Sequence, residues 1–390
     1  MVEGNLPVGQ KDSMRVLHFF KTAFPDSMGG VEQVIHQIAG GSVKLGVSTD
    51  VLSLTSQKVE RVTEIGGYQA HRARLDMQLA STGFSVSAIL RFAQLVKRAD
   101  IIHYHFPWPF MDVLHFATRV KKPTVVTYHS DIIQQKRLIR LYRPLMSRFL
   151  GDVSRIVATS PNYLETSAVL AQFKHKVSVI PIGLDWESYP HPTAAGLSSW
   201  RNFLGPKFFL FIGVLRYYKG LHILLEAAQG TDYPIVIVGA GPIGAELKAQ
   251  SQRLGLRNIH FLGFLPDEDK AALLMLSYGV LFPSHLRSEA FGISLLEGAM
   301  YGKPMISSEI GTGTTFINID GETGLAVPPA DATALRNAMR HLWDNPEVAA
   351  SMGLCAEERY WKYFTADKMV HSYVDLYNDL LQNAKRANLD

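Results

Sequence analysis

The chain has 390 residues, of which 47% are hydrophobic and 19% charged, with a formal net charge of +4 at neutral pH. This composition excludes wholesale disorder. The single cysteine, Cys355, excludes a disulfide framework and a cysteine-rich metal site, and it fits a reducing compartment. No apolar stretch approaches about 18 residues, so no transmembrane helix is expected. Residues 1–13 are polar and are interpreted as a loose leader without a signal peptide.

The net charge is unevenly distributed along the chain. Residues 14–185 contain 21 Lys and Arg against 12 Asp and Glu, a charge of +9. Residues 186–390 contain 17 against 21, a charge of −4. This asymmetry favours an anionic partner for the first half.

Apolar, β-branched segments alternate with helical patterns throughout. Strands are predicted in the first half at 15–20, 50–54, 101–105, 124–128, 155–159 and 177–181. A second series is predicted at 208–213, 234–239, 259–262, 279–282, 304–307 and 324–327. Such alternation indicates parallel sheets covered by helices on both faces, so the predicted fold class is α/β with two doubly wound domains. Because ligands bind at the carboxyl ends of strands in such sheets, a cleft between the domains is expected.

The domain boundaries are predicted at 14–185, 186–365 and 366–390. The stretch 185–206 is rich in Pro, Gly, Ser and Thr and is interpreted as a linker. The last segment, 366–384, has the pattern of a helix with one apolar face, which would return to the first domain.

Gly29 and Gly30 follow the first predicted strand and precede a helical pattern. This is a weak signal for a phosphate-binding loop, because it does not match G-x-G-x-x-G. A plain turn is the alternative interpretation.

Two predicted strands end in aromatic and histidine residues. His105 ends the strand at 101–105 and is followed by Trp108 and Asp112, while His129 follows the strand at 124–128. Rings and imidazoles at strand ends suit sugar stacking and hydrogen bonding; a structural role is the alternative for each histidine. No metal-ligand spacing such as H-E-x-x-H is present, so no metal is expected.

A basic helical pattern covers residues 132–151. It carries Lys136, Arg137, Arg140, Arg143 and Arg148, without any acidic residue between 132 and 151. Apolar residues recur between these cations at helical spacing, which is typical of a helix lying on an anionic membrane. The alternative is a helix that packs its apolar side on the core and exposes a solvated basic face.

Two cations follow a buried strand in the second half. The strand at 208–213 ends at Gly213, and Arg216 and Lys219 come next. Two cations in a loop at the carboxyl end of a strand can bind a diphosphate and stabilise it as a leaving group. A solvated pair of loop charges is the alternative.

Residues 288–301, SEAFGISLLEGAMY, place two glutamates eight residues apart, Glu289 and Glu297. Gly292 stands between a predicted strand and a helical pattern, where it allows close backbone approach to a ligand. The N–H groups of Phe291, Gly292 and Ile293 would face an anion at the positive end of the helix. Glu289 would then reach a polyol and Glu297 a ribose; two exposed helix acids are the alternative.

These segments together resemble a known family. FIGVLRYYKG, VGAGP, FLGFLP, SEAFGISLLEGAM and GETGLAVPPAD are similar to segments of the family 4 retaining glycosyltransferases, which have the GT-B fold of two Rossmann-like domains facing a central cleft. The resemblance runs over essentially the whole chain from Met14. The segments DSMGGVEQVI, HFPWPFMD and EIGTGTTFIN are most similar to bacterial O-antigen transferases that use GDP-mannose or GDP-rhamnose.

The resemblance implies a role for each candidate residue. Glu289 contacts the donor sugar, Glu297 holds the ribose, and Arg216 and Lys219 bind the diphosphate. The remaining donor contacts it implies are Gly29, Gly30, Gly213, Phe291, Gly292 and Ile293, with His129 at the donor sugar or reacting centre. His105, Trp108 and Asp112 are candidates for the acceptor side. Where the family commonly has an arginine, this chain has Val214, and Arg216 lies two residues further on.

The implied activity is retaining transfer of mannose or D-rhamnose from a GDP-sugar to a lipid-linked glycan in lipopolysaccharide O-antigen assembly. Neither a cofactor nor a metal is expected, because the cationic side chains of Arg216 and Lys219 would stabilise the diphosphate as Mg²⁺ does in other enzymes. The basic first domain would contact the inner face of the cytoplasmic membrane. The alternatives are a UDP-sugar donor and a catalytically silent binding partner; an NAD-dependent oxidoreductase and a nucleic-acid binder are disfavoured by the missing fingerprints.

Overall fold

The structure is a computed structural model that describes residues 13–27, 29–57, 61–79, 82–132 and 136–387. The described residues form two compact units. The first unit lies within Met1–Thr127, Arg140–Ile156 and Val370–Asp390, and the second within Tyr128–Ile139 and Val157–Met369. None of the helices in the described part of the chain combines the length and apolarity needed to cross a bilayer.

An eight-stranded sheet is built from the first series of strands. The strands up to residue 179 are β1 (Arg15–Phe19), β2 (Ser48–Thr55), β3 (Arg61–Ile65), β4 (Tyr68–Arg74), β5 (Met77–Leu79), β6 (Thr82–Phe84), β7 (Ile101–Phe106), β8 (Thr124–Tyr128), β9 (Arg155–Ala158) and β10 (Val177–Val179). The order in the sheet is β10-β9-β8-β7-β1-β2-β4-β3, with β5 and β6 forming a separate hairpin. β1 pairs in parallel with β2 and β7, whereas β3 runs antiparallel to β4 at the edge.

The six strands predicted in this half are all present, with ends shifted by at most two residues. The prediction missed β3 to β6. These strands are short or half-buried; in β4, for example, exposed and buried residues are mixed. A search for continuous apolar runs finds fully buried parallel strands and misses short or half-buried strands of this kind.

Fourteen helices accompany the strands in the described part of the chain. Up to residue 204 they are α1 (Gly30–Lys44), α2 (Val86–Arg98), α3 (Pro109–Ala117), α4 (Lys136–Asp152), α5 (Pro161–Thr166) and α6 (Ala194–Leu204). After residue 204 they are α7 (Leu221–Ala227), α8 (Gly244–Arg253), α9 (Asp267–Leu276), α10 (Ile293–Met300), α11 (Thr314–Ile317), α12 (Ala332–Asp344), α13 (Pro346–Tyr363) and α14 (Ala366–Ala387). The stretch interpreted as a linker therefore contains α6, which begins because the Thr193 hydroxyl accepts a hydrogen bond from the Gly196 N–H at 3.1 Å.

The second sheet is parallel and lies within the second unit. Its strands are β11 (Phe209–Ile212), β12 (Ile235–Val238), β13 (Ile259–Gly263), β14 (Gly279–Phe282), β15 (Met305–Ser308) and β16 (Gly324–Val327). All six were predicted. Their order is β13-β12-β11-β14-β15-β16, and each neighbouring pair is parallel. β12, β14 and β15 are buried along their whole length, as expected of strands covered by helices on both faces.

The C-terminal helix α14 contributes to the core of the first unit. The Tyr377 hydroxyl lies 2.7 Å from His103 Nδ1 on β7, and the Tyr373 hydroxyl lies 2.8 Å from the Thr127 hydroxyl. Thr127 in turn contacts His103 Nε2 at 2.7 Å, so that the helix and the two strands share one buried hydrogen-bond network. Within this unit, the returning helix packs on first-half strands; the domain boundaries themselves stay predictions.

Candidate active site

The strand order of the second sheet reverses between β11 and β14, which pair directly. β11 leads in one direction to β12 and β13, and β14 leads in the other to β15 and β16. The loops that leave two such strands at their carboxyl ends diverge, and the crevice between them is where open α/β sheets bind ligands. The charged residues predicted at 216–219 and at 289 lie in these two loops.

Lys219 and Glu289 form an ion pair across these loops. Lys219 Nζ donates a hydrogen bond to Glu289 Oε2 at 2.5 Å, and both side chains are only 11% exposed. The Ser284 hydroxyl donates to the same carboxylate oxygen at 3.4 Å. The ammonium also lies 4.9 Å from the centre of the Phe282 ring. A cation so far removed from water needs an anionic partner, and Glu289 supplies it.

The two loops approach each other closely because of Gly220. Its φ is +70°, and a Cβ at this position would lie 1.9 Å from the carbonyl oxygen of Pro283. The His285 N–H also donates to the Tyr218 carbonyl at 3.0 Å. The absence of a side chain at residue 220 therefore fixes the loop that carries Lys219 against the loop that leads to Glu289.

Helix α10 begins at the predicted strand–glycine–helix turn. Gly292 is its N-cap with φ of +104°, and Phe291 is 3% exposed. The first turn of a helix leaves N–H groups without intrahelical acceptors, so the amides around Phe291, Gly292 and Ile293 suit an anion. One turn into the helix, Glu297 Oε1 accepts a hydrogen bond from the Tyr189 hydroxyl at 2.9 Å. Burial raises the pKa of Glu297, and this hydrogen bond partly offsets the shift.

Two further predicted residues differ sharply in exposure. Arg216 is exposed at the start of the 3₁₀ turn Tyr217–Lys219, while His129 is 7% exposed directly after β8. Burial lowers the pKa of His129 to about 3, so its imidazole is neutral at physiological pH. A neutral imidazole at residue 129 takes part in hydrogen bonds without adding a charge, and the exposed Arg216 guanidinium can attract an anion from solvent.

Known proteins resemble the chain in both halves. The family model for Glycosyltransferase Family 4 matches residues 28–188, and that for Glycosyl transferases group 1 matches residues 198–359. D-rhamnosyltransferase WbpZ of Pseudomonas aeruginosa is 63% identical over 90% of this chain and 93% of its own length. O-antigen chain mannosyltransferase C of Escherichia coli is 50% identical over 95% of this chain and its own full length.

This chain belongs to the family 4 glycosyltransferases. Its fold is GT-B, since sucrose-phosphate synthase from Thermosynechococcus elongatus superposes with a TM-score of 0.79 at 20% identity, covering 95% of this chain and all of its own. HepE from Anabaena, in complex with UDP and glucose, has a TM-score of 0.74 at 20% identity over 94% of this chain and 99% of its own. The predicted family, the predicted fold and the predicted similarity to O-antigen transferases are confirmed.

In the first unit of the glycosyltransferase, the glycine pair begins helix α1. Gly29 is the N-cap, and a Cβ added to it would lie 2.4 Å from Glu32 Oε2. The Ser27 hydroxyl donates to Glu32 Oε1 at 2.9 Å. The carboxylate of Glu32 thus folds back against the helix N-terminus, which its charge stabilises. The donor contact of Gly29 and Gly30 stays a prediction.

The three candidates for the acceptor side are core residues of this glycosyltransferase. His105 and Asp112 are fully buried and Trp108 is 1% exposed. The Trp108 indole N–H donates to the Gly83 carbonyl at 3.1 Å, and Asp112 accepts a short hydrogen bond from the Tyr142 hydroxyl. Burial raises the pKa of Asp112 well above its usual range. For His105, this burial agrees with the structural role that was the alternative interpretation. Direct acceptor binding by the three residues stays a prediction that their burial does not favour.

Among the described residues, one histidine cluster has the composition of a metal site: His18, His103 and His105. Their nearest ring nitrogens lie within 4.8 Å of one another, and His18 Nδ1 is 3.1 Å from His105 Nε2. Both nitrogens of His103 already contact hydroxyl groups at 2.7 Å. A metal would have to replace one of these contacts, so the arrangement fits a hydrogen-bonded core better than a preformed metal centre.

Sequence reasoning missed two residues that the fold brings to this site, Asp131 and Arg287. Arg287 Nη2 lies 3.4 Å from Asp131 Oδ2, within the second unit. The available signals were their positions, two residues after His129 and two residues before Glu289. Charged residues next to candidate site residues are common, however, and only the fold shows that these two meet.

Proposed function

We propose that this glycosyltransferase moves mannose or D-rhamnose from the corresponding GDP-sugar to a lipid-linked glycan during O-antigen assembly. The observation that carries the proposal is the partly buried Lys219–Glu289 pair at the switch point of the second sheet. The names of the two close relatives, a D-rhamnosyltransferase and an O-antigen mannosyltransferase, support the sugar and the biological setting.

The proposed chemistry is electrostatic. Lys219, Arg216 and the N-terminus of α10 stabilise the GDP diphosphate as its bond to the anomeric carbon breaks. The acceptor hydroxyl attacks that carbon on the face from which the diphosphate departs, so the anomeric configuration is retained, and the hydroxyl proton passes to the departing phosphate oxygen. In this scheme the protein's own cations balance the developing charge, and no metal ion is required.

The Lys219–Glu289 pair explains how the site accommodates a charged donor. Before binding, Glu289 compensates the Lys219 ammonium in a site with little water. When the diphosphate arrives, it becomes the second anion for Lys219, and Glu289 becomes free to accept hydrogen bonds from the sugar hydroxyls. Glu297, held by the Tyr189 hydroxyl, binds the ribose. Neutral His129 adds a hydrogen bond at the sugar rather than a charge.

Helix α4 supports the proposed contact with the membrane. Arg140 and Arg143 are exposed, and Leu141 between them is 82% exposed. Phe149 and Leu150 are buried, so the C-terminal part of the helix packs on the core, as the alternative interpretation of this helix requires. The side chains of Lys136 and Arg137 lie outside the described residues. An exposed leucine between two arginines is suited to the headgroup region of an anionic bilayer, and we place the enzyme at the inner face of the cytoplasmic membrane.

The decisive experiment compares nucleotides and donors on the full chain. Thermal unfolding is followed with GDP, UDP, ADP and NAD, and transfer is assayed with GDP-mannose, GDP-D-rhamnose and UDP-glucose, with and without EDTA. Stabilisation by GDP alone among the four, with EDTA-insensitive transfer from one GDP-sugar, is the expected result. Stabilisation by UDP instead would indicate a UDP-sugar as the donor. Stabilisation by NAD alone would overturn the proposal.

Product analysis tests the stereochemistry. A retained anomeric configuration in the product disaccharide is expected. An inverted product would reject the mechanism while leaving the donor assignment intact. A chain that binds GDP but transfers no sugar to any lipid-linked acceptor would instead be a catalytically silent partner.

A further inference from the structure

Asp131 anchors the segment that carries His129. The hydroxyls of Tyr128 and Ser167 donate to Asp131 Oδ1 at 2.9 and 2.7 Å, and Arg287 Nη2 approaches Oδ2 at 3.4 Å. The Asp131 backbone N–H donates to the Tyr163 hydroxyl at 2.6 Å. Side chain and backbone of one residue thus hold the end of β8 and the residues that follow it.

Arg287 makes the complementary set of contacts. Its Nη1 donates to the Thr166 hydroxyl at 2.9 Å and to the Gly311 carbonyl at 2.7 Å. The guanidinium lies 5.3 Å from the centre of the Tyr163 ring. A planar guanidinium is suited to several acceptors at once, which a lysine ammonium on a flexible stem is not. Arg287 therefore joins three segments: the residues after β8, the end of α5 and the loop at Gly311.

The position of Arg287 in the chain connects the contacts around Asp131 to the donor site. The Glu289 N–H donates to the Leu286 carbonyl at 3.0 Å, so Arg287 lies inside the turn that presents Glu289. Asp131 lies two residues from His129 in the same way. The Asp131–Arg287 contact consequently links the turn carrying Glu289 to the segment carrying His129.

We propose that Asp131 and Arg287 are positioning residues for sugar transfer, which fix His129 and Glu289 relative to each other. This inference rests on the proposed roles of His129 and Glu289 in the donor site. The two charged side chains are 19% and 30% exposed, so solvent partly screens their attraction and the pair contributes less to the free energy of unfolding than a fully buried pair would. Reaction rates respond more steeply, because a misplacement of about 1 Å costs on the order of a hundredfold.

The test is a double-mutant cycle in the full chain, with Asp131→Asn, Arg287→Gln and the double variant. Each single variant is expected to lower kcat by about tenfold to a hundredfold, while the donor KM changes less than threefold. The double variant should be no slower than the slower single variant, because both changes break the same link. Arg287→Lys should recover part of the rate. Exposed Arg340→Gln on α12 is the matched control and should keep the wild-type kcat.

Hydrogen exchange of the backbone supplies a readout that is independent of activity. In Arg287→Gln, the amides of residues 128–132 should exchange faster, while those of β11 keep their protection. Unchanged exchange at 128–132, additive losses in the double variant, or a kcat within threefold of wild type would each overturn the inference. The assay uses whichever nucleotide sugar the wild-type enzyme turns over. An error in the proposed donor base would therefore be detected with the wild-type enzyme and would not affect the comparison between the variants.

Discussion

The ammonium of Lys219 lies 2.5 Å from Glu289 Oε2, although 70 residues separate the two in the chain. They follow the two strands, β11 and β14, between which the second sheet reverses its order. The topology therefore brings a cation and an anion together at the place where such sheets bind ligands. The pair is the resting form of the site we propose for the diphosphate and the donor sugar.

Lys219→Ala should lower kcat by at least about a hundredfold, which corresponds to about 3 kcal/mol of lost transition-state stabilisation. The reason is that, in the proposed mechanism, the ammonium lies where charge develops on the leaving diphosphate. Initial-rate assays at saturating donor measure the effect. Lys248→Ala, on the exposed side of α8, is the matched control and should retain the wild-type rate. A Lys219→Ala enzyme within fivefold of wild type would remove Lys219 from the mechanism.

Gly220→Ala should destabilise the protein by at least about 2 kcal/mol more than Gly230→Ala. Both glycines have φ near +70°, so both variants incur the backbone strain of a left-handed residue, about 1–2 kcal/mol. Of the two, only Gly220 has other atoms within 4 Å of the new Cβ, and the nearest is the Pro283 carbonyl oxygen. Urea unfolding of the two variants measures the difference. Equal losses would show that the close approach of the two loops is unimportant for stability.

Acidification should destabilise the first unit through His18. Burial lowers the pKa of His18 to about 3, whereas its unfolded value is 6.5. The unfolded chain therefore binds a proton that the folded chain does not, and stability falls as the pH drops below 6.5 towards 3. Between pH 7 and pH 5 this loss is about 2 kcal/mol for one histidine.

The pH dependence of His18→Asn isolates this contribution. The variant should lose less stability than wild type between pH 7 and pH 5, whatever its stability at pH 7. Urea unfolding at both pH values gives the two slopes. If variant and wild type showed identical slopes, either His18 would already be protonated in the folded protein or its protonation would cost no folding free energy.

Arg140→Gln/Arg143→Gln should weaken binding to phosphatidylglycerol vesicles by about thirtyfold, since each cation near an anionic surface contributes about 1 kcal/mol. Leu141→Gln should weaken it further without lowering the melting temperature, because this side chain is 82% exposed. Vesicle sedimentation at low and high salt measures the binding. Arg253→Gln/Arg257→Gln and Leu354→Gln, exposed residues of the second unit, are matched controls. If the α4 variants sediment as wild type does, the helix is not the membrane contact.

Secondary structure was predicted correctly where it depends on a local pattern in the sequence. Each of the twelve predicted strands is present, because a central parallel strand is an uninterrupted apolar run that can be read without its neighbours. The strands β3 to β6 were missed because edge hairpins lack that run. Helix α6 was missed because its Pro- and Ser-rich surroundings resemble a linker, while its hydroxyl cap at Thr193 is a single residue.

The candidate site residues also divide into those that the local sequence indicates and those whose placement depends on packing. Lys219, Glu289, Gly292 and Glu297 could be chosen from the sequence because strand, turn and helix follow one another within a few residues. His105, Trp108 and Asp112 lie near the end of a strand as well, yet the fold buries them. Whether a side chain after a strand points to a ligand or into the core depends on what packs over it, which no neighbouring residue specifies.

The sequence by itself determined the fold class, the family and the charged residues of the two loops that we propose bind the donor, since these follow from hydrophobic period and short motifs. Only the tertiary structure decided which charges meet. Lys219 pairs with Glu289 across 70 residues, and Asp131 lies beside Arg287 across 156. The physical reason is that an ion pair depends on a distance of a few ångströms in space, and that distance is set by strand order and loop packing rather than by separation along the chain.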